Sequence, residues 1–409
     1  MPRLNTPIKK AQDINLYNPM KGLNLDLDGA LIGDDETPNC RDIVFRDRAF
    51  SKVPGTAFFG MAAVNSEVII SLESFPLIGS TQVLMHTTTK VYRYNSATSL
   101  FVELQSGLTA TVDKVVKGDV CQSKYIWSNQ NDGIWQWAGS AAPTLITKPA
   151  GVVSSFNCKQ VINYNNSTVL LSTIEDGTSY PRRVRVSTPF TIDDWDTPSL
   201  GNDVQDLDEK AVGDIVCGYY LRGSIWIYGT RGVVQMRATG SVTQPYTYTS
   251  YTSDFYIDGI NCVYPIEETH IILTKNDVVA FTGAYFQGVL QSQSIIPKGV
   301  RLELFGDMAS EHIQRSFIVR DHLNQEILIF YTSKAAIYPD SYYRFSLKTK
   351  GWSKGKFVAS CGTTFILNSG LTFDEMTQTF DDYNIAFQNL PDTSAPPVVL
   401  LGDRLGGVY

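Results

Sequence analysis

The residue types that carry most nucleophilic and metal chemistry are few and scattered in this chain. Its four histidines, His86, His270, His312 and His322, show neither HxH nor HExxH spacing, so a zinc centre is not expected. His86 and His270 fall in or beside apolar runs, where a hydrogen-bonded structural histidine is the commoner role. The six cysteines, Cys40, Cys121, Cys158, Cys217, Cys262 and Cys361, form no CxxC pair. Their wide spacing predicts buried, reduced thiols rather than a disulfide framework. No G-x-S-x-G nucleophile elbow and no Walker-type phosphate loop occurs.

Acidic and basic clusters offer other chemistry. "DLDGALIGDDE" (26–36) has the look of a calcium loop, but Gly29 comes two residues too early for an EF-hand and no flanking helices are predicted. The acidic part, 193–209, of the loop 188–210 could hold a cation, although such loops are more often solvated. Arg182, Arg183 and Arg185 in "YPRRVRV" could clamp a phosphate or a sialate, with exposed strand charges as the plainer expectation. Glycosidase action would need two carboxylates about 5–10 Å apart, and no spacing marks such a pair. The Asp-box turns of sialidases, S-x-D-x-G-x-T-W, find only an Asp-Gly and a Trp in "NQNDGIWQW". No catalytic, cofactor-binding or metal-binding residue is assigned, and the expectation is a protein that is not an enzyme and needs no cofactor.

The elements that would position any site follow from composition and pattern. Of 409 residues, 43% are hydrophobic and only 18% charged, with 21 Tyr, 20 Phe and 31 Gly, a bias toward strands and turns. No sustained apolar run at helical spacing is present, so the chain reads as all-β. A net charge of −7 argues against a basic grip on nucleic acid or docking on anionic membranes. No signal-like apolar core opens the chain, and no stretch has the length of a membrane helix.

One phrase recurs: a short apolar run, a polar turn, then a strand with large residues two apart. "VLMHTTTKVYRY", "YIWSNQNDGIWQW", "VLLSTIEDGTSYPRRVRV", "SIWIYGTRGVVQM", "HIILTKNDVVAF" and "EILIFYTSKAAIYPDSYYRF" are six copies, and "VVLLGDRLGGVY" is a weaker seventh. The first large residues fall at 92, 135, 184, 234, 279 and 343, which are 43, 49, 50, 45 and 64 apart. A hairpin returning every 40–50 residues is the mark of propeller blades. The turns "TTTK", "QNDG", "GTRG" and "KNDV", which as a set are rich in Gly, Asn and Asp, are expected to supply positive φ for tight hairpins. Two β-sandwich domains are the alternative, but they give no reason for a constant hairpin period. The predicted architecture is an extended N-terminal arm (1–40) followed by a β-propeller (41–409) of about seven blades, six plus an outlying hairpin being the other count. The segment "RDIVFRDRAFSKVPG" (41–55) is expected to close the last blade.

The opening "GLNLDLDGALIGDDETPNCRDIVFRDRAFSKVPGT" resembles that of the tail nozzle and packaged-DNA stabilisation proteins of short-tailed bacteriophages. The matching phrases are Cys40-Arg41-Asp42-Ile43-Val44-Phe45, Lys52-Val53-Pro54-Gly55, and Arg183, Val184, Ser187 and Trp195 in the third unit. "DSYYRFSLKTKGWS" and the closing "LLGDRLGGVY" also fit that family's blade endings, while Cys40 stands where Asn is usual. The resemblance implies a virion structural protein made in the bacterial host cytoplasm. Copies would form a ring, commonly a hexamer, below the portal and adaptor. That ring would retain packaged double-stranded DNA and line part of its ejection channel, without sequence-specific binding or a membrane anchor. Two other classes compete: a receptor-binding or glycan-degrading propeller at the tail tip, and a kelch-like scaffold, whose Gly-Gly, Tyr and Trp signature these units lack.

Overall fold

The recurring phrases become the second and third strands of antiparallel sheets. The computed structural model describes residues 21–27, 31–33, 36–46, 49–53, 55–59, 67–77, 80–196, 201–253, 255–366 and 397–409, with the side chains of 45–51 left aside. Within these, each sheet runs in chain order. The first comprises Ile69–Leu77, Ser80–Thr87, Val91–Asn95 and Leu100–Gln105, and the second Asp119–Cys121, Lys124–Ser128, Ile134–Trp137 and Thr144–Leu145. The third comprises Phe156–Tyr164, Ser167–Glu175, Thr178–Val186 and Asp203–Asp206, and the fourth Ile215–Leu221, Ser224–Gly229, Val233–Ala238 and Tyr246–Tyr251. The fifth comprises Val263–Ile266, Thr269–Leu273, Val278–Phe286 and Val289–Ser294, and the sixth Phe317–Asp321, Glu326–Tyr331, Ser341–Ser346 and Trp352–Lys356. A seventh sheet pairs Cys361–Phe365 with Val398–Gly402. The architecture is all-β and propeller-like.

Burial explains why the large residues come two apart. Val184, Val186, Val234, Met236, Val279, Phe281, Tyr343 and Phe345 are all buried, because period-two alternation points each pair into the seam with a neighbouring sheet. Seven apolar clusters form among the described residues, each between consecutive sheets. Phe75, Trp127 and Trp137 join the first and second sheets, and Ile126, Phe156 and Leu170 the second and third. Val184 and Ile227 join the third and fourth, Trp226 and Phe281 the fourth and fifth, and Ile271 and Tyr343 the fifth and sixth. Phe330 and Leu401 join the sixth and seventh, and Met85, Phe365 and Leu400 join the seventh to the first.

Three expectations are corrected. The residues of "TTTK", "GTRG" and "KNDV" carry no positive φ. A threonine hydroxyl closes two of these turns instead, Thr87 accepting from the Lys90 amide at 3.0 Å and Thr274 from the Asp277 amide at 2.8 Å. Positive φ appears in turns between first and second strands, at Gln122-Ser123, Asn165-Asn166 and Arg222-Gly223. The chain also contains a ten-residue helix, Lys298–Asp307, which with the 3-10 turn Ser310–Arg315 lengthens the fifth-to-sixth spacing to 64. Its sequence hides it: two of its residues are glycine, and only Gly299, Val300 and Leu304 are buried.

The third correction concerns the N-terminal strands. Gly22–Leu23 runs parallel to the outer strand of the sixth sheet, with Glu36–Thr37 outside it. Gly22 has φ +78, and a Cβ there would strike the Trp352 backbone, so glycine is required. Ile43–Arg46 and Ala49–Lys52 form a hairpin of their own, beside a bridge from Arg41 to Lys354. Segment 41–53 therefore lies by the sixth sheet, not the last; the Asp42 amide donates to the Lys354 carbonyl at 2.8 Å. The last sheet receives Phe59, whose amide donates to Val408 at 2.8 Å while Val408 bridges Gly402. The Phe59 ring packs 4.7 Å from Tyr94 and 5.7 Å from Phe365, an apolar seat that the polar Arg41-Asp42 stretch would not fill.

Candidate functional site

The residues singled out by sequence do not meet in one place. His86 is buried edge-on to Trp127, with Nε2 unpartnered, and burial pushes its pKa down to about 3. His270 accepts from the Tyr228 hydroxyl at Nδ1 (2.6 Å) and donates from Nε2 to the Tyr220 carbonyl (3.0 Å), the tautomer these partners require. It too is pushed down, to about 4. Both imidazoles are held neutral, and His270 ties its strand to those of Tyr228 and Tyr220. All six cysteines are free and buried, and burial raises Cys40, Cys262 and Cys361 to about 12, so these thiols are protonated at neutral pH.

The arginine tract is not a line of solvent-facing charges. Arg185 is 8% exposed and reaches both oxygens of buried Glu175 at 3.1 Å. Arg183 bridges Glu175 at 3.1 Å and both oxygens of Asp206 at 2.8 and 2.9 Å. The guanidinium groups are thereby committed to joining the outer strands of the third sheet. In the acid-rich loop, Asp193 and Asp196 each accept a backbone amide, from Thr147 and Ala150, both at 2.6 Å. Residues 197–200 of that loop, and 28–30, 34 and 35 of the calcium-like stretch, lie outside the described residues. Of the latter stretch, Asp26 accepts the Gly299 amide at the helix start, and Glu36 accepts from Asn24. Among the described residues no three His, Cys, Asp or Glu side chains gather as metal ligands.

What does converge is a set of polar side chains on the first strands of the sheets. These strands border a cavity of about 800 Å³. Glu73, Asp119, Gln160, Gly218, Val263, Ile318 and Thr363, one from each sheet, line it. The strands lie side by side without a continuous backbone ladder between sheets; single backbone bonds such as the Val161 amide to the Lys117 carbonyl at 3.2 Å occur, and side chains add further ties. Ser71 donates to the Val116 carbonyl at 2.9 Å. Asn163 gives its amide N–H to Asp119 and its side-chain NH₂ to the Val120 carbonyl, both at 2.8 Å. Gln160 donates to the Gly218 carbonyl at 2.9 Å and accepts its amide at 2.8 Å, a side chain acting as one rung of a ladder. Tyr219 donates to the Ile260 carbonyl at 2.9 Å.

Glu73 is the charged centre of this lining. Lys117 lies 3.3 Å from both its oxygens, and Ser71 donates to it at 3.1 Å. Burial pushes its carboxyl above the usual range, with the Lys117 ammonium opposing. Burial likewise raises Asp119 against the amides of Asn163 and Val120. Close by, Tyr125 stacks on Phe75 at 3.8 Å, and its hydroxyl is buried against the Gly118 backbone. These residues were invisible as a group in the sequence. The available signal was polar residues inside apolar strands, such as Lys159-Gln160 in "FNCKQVINY".

No family model and no curated protein matches the chain. Among solved structures it is similar to a functionally unknown protein from Desulfotomaculum acetoxidans, at 9% identity and TM-score 0.42 over 75% of this chain and 94% of that one. PorZ, a surface component of the type-IX secretion system of Porphyromonas gingivalis, matches at 10% identity and TM-score 0.40, over 75% of this chain and 35% of its own. A protein provisionally named a 6-phosphogluconolactonase, from Bacteroides uniformis, matches at 12% identity and TM-score 0.38, over 70% and 80%. Likeness at this level says nothing of what the chain does.

Proposed function

We propose that the seven sheets close into a seven-bladed propeller and that the protein is a structural part of a bacteriophage tail, a nozzle or DNA-retention plug. Copies assemble as a ring, a hexamer by resemblance, below the portal and adaptor. The ring holds packaged DNA and forms part of the channel through which it leaves. The protein acts by assembly, without catalysis. The observation that carries this reading is the unbroken series of apolar seams, the seventh-to-first seam included. A body whose sheets each share a core with two neighbours is stiff, and its loops are free to pack against other subunits.

Three further features support it. The cavity of about 800 Å³ is too small for a duplex whose major groove alone is about 12 Å wide. DNA therefore passes through the centre of the ring of copies, not through one propeller. The Val278–Phe286/Val289–Ser294 hairpin overhangs its sheet and leans on the fourth, with Tyr285 4.8 Å from Tyr251, and it leaves Tyr285 and Phe286 56% and 66% exposed. Aromatic side chains in such a position suit a contact between subunits. An acidic chain beside DNA repels phosphate and lets the duplex slide.

Electron microscopy of the chain mixed with portal and adaptor tests the proposal. A ring capping the portal is expected, and Phe286→Asp combined with Tyr285→Asp should prevent it. A trimer that ignores the portal and cleaves a glycan would overturn the reading in favour of a tail-tip protein.

A further inference from the structure

An open sheet edge can recruit a strand from another chain, and the outer strands of this fold differ in how they are guarded. The first sheet's carries Glu103, the third's carries Asp203 and Asp206, and the sixth's carries Lys354 and Lys356 under a cover of Gly22–Leu23. The second sheet's is only two residues long. Among these six sheets two outer strands lack charge, Tyr246–Tyr251 of the fourth and Val289–Ser294 of the fifth. The fifth sheet is blunted by a register shift between Phe281 and Tyr285, whereas Tyr246–Tyr251 keeps six unbroken pairs with Val233–Ala238.

The groups on the open side of Tyr246–Tyr251 follow from the register. The Thr239 amide donates to the Pro245 carbonyl at 2.9 Å. Bonded pairs alternate along an antiparallel ladder, so Thr247, Thr249 and Tyr251 are the residues bonded to the third strand. Tyr246, Tyr248 and Ser250 turn their N–H and C=O groups outward, where no described strand meets them. Thr252, next in that series, already uses its outward side: its amide donates to the Gly288 carbonyl at 3.1 Å, and its carbonyl accepts from Leu290 at 3.0 Å. The edge thus takes a strand at one end, and an open slot runs from there back to Pro245. Side chains hold the slot in shape, Tyr248 donating to Asp203 at 2.8 Å and Tyr251 to Gln235 at 3.0 Å.

The slot is complementary to itself. Antiparallel pairing about a two-fold axis at Tyr248 sets Tyr248 opposite the partner's Tyr248 and Tyr246 opposite the partner's Ser250, so the outward groups of both strands meet. Thr247 then stands opposite the partner's Thr249, a favourable cross-strand pair of two exposed side chains. No charged residue lies between Ala238 and Ser253, so copies of net charge −7 meet here without like charges opposed. We infer that Tyr246–Tyr251 pairs with the same strand of a second copy, joining two four-stranded sheets into one. The inference rests on this edge and not on the tail reading.

The test uses the purified full-length chain, without portal or adaptor, in analytical ultracentrifugation across about 1–100 μM. A monomer–dimer equilibrium is expected. Dilution should speed hydrogen exchange at the Tyr248 amide and leave Thr249, bonded within its own sheet, protected. Ser250→Pro removes only an outward N–H, which an edge strand tolerates, and should abolish the dimer. Thr247→Lys with Thr249→Lys should weaken dimerisation about tenfold. Mixing that variant with one carrying Thr247→Glu and Thr249→Glu should restore pairing as a mixed dimer, which a folding defect would not do. The inference is overturned if the chain stays monomeric across the range, if its assembly survives Ser250→Pro, or if the Lys and Glu variants do not pair. Equal protection of Tyr248 at every concentration would also overturn it, since a segment of the same chain would then cover the edge. A chain that is monomeric alone and still caps the portal as a ring would end this inference and leave the proposed function standing.

Discussion

Gln160→Leu is the sharpest single test of how the first strands are held. Gln160 is 3% exposed and serves both the amide and the carbonyl of Gly218, at 2.8 and 2.9 Å. Leucine has a similar bulk, so the cavity left is small and the change is chiefly the loss of two hydrogen bonds. Gly218 cannot compensate. It has no side chain, and a Cβ there would stand 2.8 Å from Leu171 Cδ1 and 3.0 Å from Ile162 Cδ1. Each buried backbone group left unpaired costs about 1–3 kcal/mol, so the substitution should cost about 2–6 kcal/mol. Gln205→Leu, an exposed amide on the outer strand of the third sheet, should stay within about 0.5 kcal/mol. Urea titration followed by fluorescence measures both, and the Gly218 amide should exchange faster in Gln160→Leu alone. A loss below about 1 kcal/mol, or equal losses in the two variants, would refute side-chain stitching as the tie between the third and fourth sheets.

Other consequences follow from the same packing. Glu175→Leu leaves Arg183 and Arg185 without their shared buried carboxylate and should cost about 3–5 kcal/mol by denaturant titration. His86 is held neutral, its pKa lowered from 6.5 to about 3, so the unfolded chain takes up a proton that the folded chain refuses. Its stabilising effect is whole above pH 6.5 and declines as pH falls from there toward about 3; His86→Met should flatten that decline in melting temperature. Asp176 accepts the amides of Val153 and Ser154 and is lowered from 3.8 to about 2. Its contribution is present above 3.8 and lost as pH falls toward 2, so Asp176→Asn should lose stability at neutral pH and show a shallower acid transition.

How much of this was legible in the sequence depended on what each strand faces. Second and third strands have neighbouring sheets on both sides, and they read clearly: all six full hairpin phrases fall on them, from Ser80–Thr87 with Val91–Asn95 to Glu326–Tyr331 with Ser341–Ser346. Most fourth strands are edges and left little trace, Thr144–Leu145 being two exposed residues, whereas the sixth sheet's Trp352–Lys356 is covered by Gly22–Leu23. First strands face the cavity and carry Glu73, Gln160 and Asn163, which break the apolar pattern for the same reason that they matter. The helix Lys298–Asp307 escaped because its buried face is narrow and its start is capped by Asp26, some 273 positions away in the chain. Threonine-closed turns were mistaken for positive-φ turns, since a hydroxyl that bonds two or three residues ahead leaves the same polar signature. The arginine tract misled because alternation reveals which face a side chain takes, while the partner waiting there, Glu175, comes from the adjacent strand.

The account rests on the seventh sheet meeting the first. An electron-density map viewed along the cavity axis should show seven sheets in one continuous circle, with Phe59 paired to Val408 and the Ser360 hydroxyl on the Ile69 carbonyl. A gap between Cys361–Phe365 and Ile69–Leu77, or a circle completed by six sheets with the seventh elsewhere, would contradict it.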